Sequence, residues 1–171
     1  MFFLQMSGFP GSGKSTLAKE ISHRLHDTVI VDHDIVKTAL LEAISIKNHI
    51  NIGKVSYQLE WDLIENYLSQ GLNVIHDSPC IYHELLEKGI QLAEKYLFQY
   101  NFIDCVVKDM NIINKRLKTR KRKRSQIPET SEEFYQVTLK STQYPSSNYL
   151  VVNSDSPVES YIDTIIEYLK K

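Results

Sequence analysis

The run Gly8-Phe9-Pro10-Gly11-Ser12-Gly13-Lys14-Ser15-Thr16 decides how this chain is read. It fits G-x-x-x-x-G-K-[ST], the pattern of a phosphate-binding loop. Its surroundings matter as much as the pattern. Phe2-Phe3-Leu4-Gln5-Met6 before it is a short apolar run, suited to a buried strand. From Thr16 onward, Leu17, Ile21 and Leu25 recur at helical spacing. Strand, loop and helix therefore follow one another as the motif requires.

The residue types fit the chemistry. Backbone N–H groups that converge on phosphate oxygens need unusual torsions and no obstructing side chains, which accounts for Gly8, Gly11 and Gly13. The N-terminus of the new helix adds its partial positive charge. Lys14 supplies a point charge for the β- and γ-phosphates of ATP, and Ser15 a hydroxyl for Mg²⁺. At average composition the pattern would arise by chance in about one such chain in a couple of hundred. Its context makes a chance glycine turn a weaker reading still.

The totals bound the rest. At 171 residues, 42% hydrophobic and 24% charged, the chain is long enough for one domain with a core, over residues 1–171. The two cysteines, Cys80 and Cys105, form no spacing motif and argue against a disulfide framework or zinc site. No stretch has the apolar length of a membrane span. The first strand begins at Phe2, leaving no room for a targeting peptide, so a cytoplasmic protein without membrane partners is expected. The net charge of −1 conceals an asymmetry: eight of the ten residues Lys115 to Arg124 are basic, against 12 basic and 21 acidic elsewhere. A local anionic ligand, ATP itself or a nucleic acid bound through residues 115–124, is the expectation.

Further strands and helices alternate along the chain. Thr28-Val29-Ile30-Val31 reads as strand two, followed by Asp32-His33-Asp34 and a helical pattern through Val36, Leu40, Leu41 and Ile44. Asp34 lies just beyond a strand end, where open α/β sheets place ligand residues. Helix capping is the plainer role for either aspartate, and one of the two is expected to cap. Residues 45 to 53 read as a connection. A helical run from Lys54, stopped by Gly71, carries Val55, Leu59, Leu63, Tyr67 and Leu68 at near-helical spacing, with Trp61 and Tyr57 read as core in preference to an acceptor pocket.

Leu72 to Asp77 reads as strand three. Its terminal Asp77 sits where a P-loop protein needs an acid on the Mg²⁺ side, and His76 is read as packed. A helix over Tyr82–Tyr96 and a strand over Tyr100–Val107 follow, then a helix from Asp109 with Ile112, Ile113 and Leu117 apolar. Arg116 and Arg120, four apart, would share a face of that helix. Residues 125–131 break it, and another helix starts at Glu132. Helix, basic hinge and helix over about 115–135 describe a mobile lid that brings guanidinium groups onto a transferring phosphate. Tyr149–Val152 is strand five, and the last helix starts at Ser156-Pro157.

Nearly the whole chain resembles the small P-loop kinases of the nucleoside-monophosphate-kinase-like type. It is most similar to the group of polynucleotide 5′-hydroxyl kinases, gluconate kinases, chloramphenicol phosphotransferases and zeta-type toxins. Gly8 to Thr16, Asp34, Asp77, Arg116 and Arg120, and the stretch Val151 to Pro157, carry the resemblance. It implies a three-layer α/β fold with a five-stranded parallel sheet in the order 2-3-1-4-5. It implies that Asp34 takes the proton of an acceptor hydroxyl and that Arg120, with Arg116, stabilises charge on the migrating phosphoryl group. Many relatives carry Arg where this chain has Lys37, which cannot form the bidentate fork. The expected function is ATP- and Mg²⁺-dependent transfer of the γ-phosphate to an unidentified hydroxyl, on a small molecule, a nucleotide or a polynucleotide 5′-end. The alternative is a P-loop ATPase or nucleotide-binding protein without an acceptor. A GTPase is disfavoured because Asn114-Lys115-Arg116-Leu117 lacks the Asp of N-K-x-D. A pure nucleic-acid-binding module would leave the loop unexplained.

Overall fold

The computed structural model describes residues 1–44 and 50–171. The connection expected at 45–53 lies partly, at 45–49, outside the described residues. Strands and helices alternate: β1 (Phe2–Ser7), α1 (Lys14–Arg24), β2 (Thr28–Asp32), α2 (His33–Ala43), α3 (Ile52–Ser69), β3 (Asn73–Asp77), α4 (His83–Lys95), β4 (Gln99–Val106), α5 (Met110–Thr119), α6 (Glu132–Ser141), β5 (Tyr149–Asn153) and α7 (Ile162–Leu169). The strands form one parallel sheet in the order β2-β3-β1-β4-β5, as expected.

Parallel strands covered on both faces carry apolar residues on both, and β1 is buried throughout. Phe2, Leu4 and Met6 pack with Leu17, Ala18 and Ile21 of α1 and with Ile162, Ile165 and Leu169 of α7. Phe3 points the other way, onto Trp61, Ile64 and Leu68 of α3 and Leu85, Leu86, Leu92 and Ala93 of α4. A third cluster packs Phe9 of the loop against Ile113 and Leu117 of α5 and Tyr135 of α6. Both cysteines are free and buried. No helix among the described residues is long and apolar enough to cross a membrane.

Two helices differ from the sequence reading. In α3, Leu59 and Leu63 are 40% and 39% exposed, while Ser56, Glu60, Trp61, Ile64 and Leu68 are buried. Steps of four residues advance about 40° around a helix, so the stripe read from Val55 through Leu59 and Leu63 walks off the core. The true inward face includes a carboxylate, which an apolar count skips. At the C-terminus, Val158–Ser160 form a single 3₁₀ turn, and α7 begins only at Ile162.

The register fixes the site. Asp32 lies opposite Asp77 across β2 and β3, so both acids reach the same carboxyl edge of the sheet. The phosphate loop leaves the same edge from β1, between β3 and β4, at the point where the strand order reverses.

Candidate active site

The loop adopts the torsions its glycines allow, with positive φ at Gly8, Gly11 and Gly13. At Gly8 an added Cβ would collide with the Cys105 carbonyl and lie 2.6 Å from Ser12 Oγ. Gly13 precedes α1 at φ 91°, so the first turn of that helix opens toward the cleft. Lys14 Nζ donates to the Gly8 carbonyl at 2.5 Å and reaches the Phe9 carbonyl at 3.4 Å, curling back over the loop. Pro10, Gly11, Gly13, Lys14, Ser15 and Thr16 line the cleft. Gly8, Phe9 and Ser12 stand behind it. The Phe9 side chain is an anchor, 5.0 Å from the Tyr135 ring centroid in an edge-to-face contact.

Arg116 closes the rim of the loop. Its guanidinium donates to the Ser154 carbonyl at 2.7 Å and approaches the Gly11 carbonyl at 3.4 Å, while the Ser154 hydroxyl donates to the Ser12 carbonyl. Arg120 does not share the helix with it. It is the residue after α5, in extended conformation, and donates to the Ile127 carbonyl at 3.1 Å. The two guanidiniums nevertheless line one cleft, because the turn after α5 folds back over the sheet edge. Arg120 Nε is buried without a partner. Burial lowers the Arg120 pKa, against the pull of the Asp34 charge.

The capping question resolves cleanly. Asp32 caps α2, accepting from the Ile35 N–H at 3.1 Å, and its other oxygen pairs with Lys123 Nζ at 2.6 Å. Asp34, in the first turn, is free of capping and lines the cleft. Its Oδ1 accepts from Ser125 Oγ at 2.8 Å and its Oδ2 from Gln126 Nε2 at 2.7 Å. Burial is the strongest influence on this carboxyl and raises its pKa. The bonds from Gln126 and Ser125, with the nearby His33 and Lys123, outweigh it and leave the pKa below the ordinary value. Asp77 behaves oppositely. Its burial raises its pKa, only partly offset by the Lys14 ammonium and the Ser15 hydroxyl beside it.

Much of the basic tract is spent within the chain. Lys123 holds Asp32, Arg124 donates to the Leu41 carbonyl at 2.7 Å, and Lys118 faces Glu129 at 3.6 Å. Together with Arg116 and Arg120, five of the eight basic residues have partners of their own.

Sequence reasoning missed a second layer. Glu60 of α3 is fully buried and accepts from His33 Nδ1 at 2.7 Å and His76 Nε2 at 2.9 Å. Burial pushes its pKa up, but the two imidazoles outweigh that and hold it below the usual carboxyl value. His33 precedes Asp34, and His76 precedes Asp77. One buried carboxylate thus ties the start of α2 to the end of β3. His33 also stacks on Tyr57, their centroids 4.5 Å apart, and Tyr57 lines the cleft as well as touching the core. The sequence carries only a faint signal of this: Glu60 stands four residues before Ile64 on one helix face, and a carboxylate is buried there only with partners, which lie far along the chain.

Lys14, Ser15, Asp34, Asp77, Arg116 and Arg120 open on one cleft of about 1090 Å³, which Lys37, Lys54, Tyr57 and Tyr82 also line. A family model for the AAA domain matches residues 4–141. The chain belongs to that AAA-domain family. Solved structures with the same fold as this AAA-domain chain include a Chloroflexus aurantiacus protein described provisionally as a kinase, 16% identical with a TM-score of 0.75, covering 99% of this chain and 96% of that one. A sugar kinase from Janibacter is 14% identical with a TM-score of 0.68, over 99% and 95% of the two chains. A gluconokinase from Sinorhizobium meliloti is 13% identical with a TM-score of 0.63, over 99% and 91%. With the strand order above, these neighbours show that the AAA-domain chain shares its fold with solved kinases. At such identities they speak for the fold, not the substrate. Among curated proteins, none matches.

Proposed function

We propose that this protein transfers the γ-phosphate of ATP to a hydroxyl group of an acceptor. One observation carries the reading: Lys14, Asp34, Asp77, Arg116 and Arg120, from four separate parts of the chain, line a single cleft that begins at the phosphate loop. Loop amides and Lys14 hold the phosphates. Arg116 and Arg120 stand where negative charge spreads over the migrating group, and stabilising that charge is most of what phosphoryl transfer asks of a protein. Asp34 is kept ionised and so accepts a hydroxyl proton. The Ser15 hydroxyl beside the Asp77 carboxylate is an all-oxygen pair suited to Mg²⁺, which favours few protein ligands plus phosphates and water. When bound, the ion neutralises charge on the phosphate oxygens.

The acceptor enters at the opposite end, between α2, α3 and the turn before α4. Residues 115–135 act as the lid. Because Lys118 and Lys123 are paired with Glu129 and Asp32, and Arg116 and Arg120 face the cleft, a small acceptor suits the site better than a polynucleotide, which needs several free cations along its backbone. A screen of hydroxyl compounds with γ-labelled ATP tests the reading. Label moving to one acceptor class supports it. Rapid release of label to water that no acceptor suppresses would point to an ATPase. Oligonucleotide binding that falls steeply with salt would restore the polynucleotide end.

A further inference from the structure

We propose that Ser125 is an internal phosphoryl acceptor: with MgATP bound and no external acceptor present, the cleft phosphorylates its own Ser125 hydroxyl. This rests on the kinase reading above. The hydroxyl already occupies the position a substrate hydroxyl would take on the base. Ser125 Oγ lies 2.8 Å from Asp34 Oδ1. The direction of that hydrogen bond is fixed by its neighbours. Thr38 Oγ1 accepts the Ser125 N–H at 3.2 Å and turns its own hydrogen onto Ser125 Oγ at 3.0 Å. The proton of Ser125 is thereby left for Asp34, whose Oδ1 at 2.8 Å is a nearer acceptor than its backbone carbonyl at 3.2 Å, and a lone pair of Oγ is left over.

The segment is seated rather than loose. Gln126 donates to the second oxygen of Asp34 at 2.7 Å, Lys123 pairs with Asp32 at 2.6 Å, and Arg124 bonds the Leu41 carbonyl at 2.7 Å. Ser125 is half-buried and lines the same cleft as Lys14, Ser15, Arg116 and Arg120. Asp34 stands below the ordinary carboxyl range, so it takes a proton instead of offering one.

The step balances. Ser125 Oγ forms a bond to the γ-phosphorus, and the bond from that phosphorus to the bridging oxygen of ADP breaks. ADP leaves with the electron pair, and the Ser125 proton passes to Asp34 Oδ1. Once Asp34 has passed that proton on to water, a phosphate dianion lies against its carboxylate, and like-charge repulsion would then unseat residues 123–126 from α2. Phosphorylation would thereby open the acceptor end.

The test incubates the full chain with MgATP alone and follows intact mass and phosphopeptides, with calorimetry of ATP binding alongside. The expected result is a single phosphate on Ser125 at a rate independent of protein concentration. Ser125→Ala abolishes it, and Asp34→Asn slows it by about 10²-fold or more. If ATP binds and its phosphate goes to water or to an added acceptor while Ser125 stays unmodified, this inference is overturned and the kinase reading stands. Phosphate on another residue overturns it equally. If ATP is not taken up, both fall together. Peptide mapping of the unmutated chain decides the matter even should a variant fail to fold.

Discussion

The two ends of the cleft are built on different principles. The end proposed for the nucleotide is local: Gly8 to Thr16 run from the end of β1 into the first turn of α1, and in the kinase reading their backbone does the binding. The acceptor end is assembled from distance. Asp34 comes from α2, Tyr57 and Glu60 from α3, and Ser125 and Gln126 from the segment after α5, with contacts that span 91 and 92 residues of chain. A local end tolerates little change in the loop and much change elsewhere. An assembled end fails when any of its supports moves.

Substitutions at each end sharpen that contrast. Lys14→Ala should have the largest effect, removing the ammonium from the phosphates and cutting transfer by about 10³-fold or more, as measured by label transfer. The fold should stay intact, since Lys14 bonds only loop carbonyls. Asp34→Asn should lower turnover by roughly 10²–10³-fold while leaving ATP affinity close to that of the unmutated chain. Equal losses in ATP affinity and turnover would mean that the two ends are not separate.

Glu60→Gln attacks the acceptor end from behind. The amide cannot accept from both imidazoles as the carboxylate does, and one buried N–H loses its partner. A cost of roughly 2–4 kcal/mol in denaturant unfolding is expected, with turnover falling as the starts of α2 and the end of β3 lose their common tie. Unchanged stability would mean that this buried network contributes nothing net.

The first three strands, their helices and the loop were legible because each is a local pattern. Phe2 to Met6 is a continuous apolar run, and Gly8, Gly11 and Gly13 have few other uses in that order. The capping ambiguity at Asp32 and Asp34 was not resolvable from sequence, because both sit at a helix start and only Lys123 and Ile35 show which one is occupied. Glu60 was hidden among apolar neighbours, and its partners His33 and His76 lie 27 and 16 residues away. Arg120 was assigned to a helix face by spacing alone, yet the chain leaves the helix at that residue. The basic tract read as a lid for a local anion, and sequence cannot show that Lys123 pairs with Asp32 or that Arg124 bonds the Leu41 carbonyl.

A smaller effect concerns pH. The folded pKa of Glu60 is held below its ordinary 4.5, so the ionised form stabilises the fold above that value, and this contribution is lost as pH falls through the folded pKa. The stability gap between the unmutated chain and Glu60→Gln should be smaller once pH has fallen through the folded pKa of Glu60 than it is above the ordinary carboxyl value. Asp34 is shifted in the same direction but is present in both proteins, so it cancels from the difference.

The central claim, that the loop near the N-terminus cradles a nucleotide triphosphate, is tested most directly by titrating MgATP into the protein in a calorimeter. The account predicts saturable uptake of one nucleotide, weakened by about 10²-fold or more in Lys14→Ala and nearly unchanged in Asp34→Asn. No uptake by the unmutated chain, or equal uptake by Lys14→Ala, would contradict it.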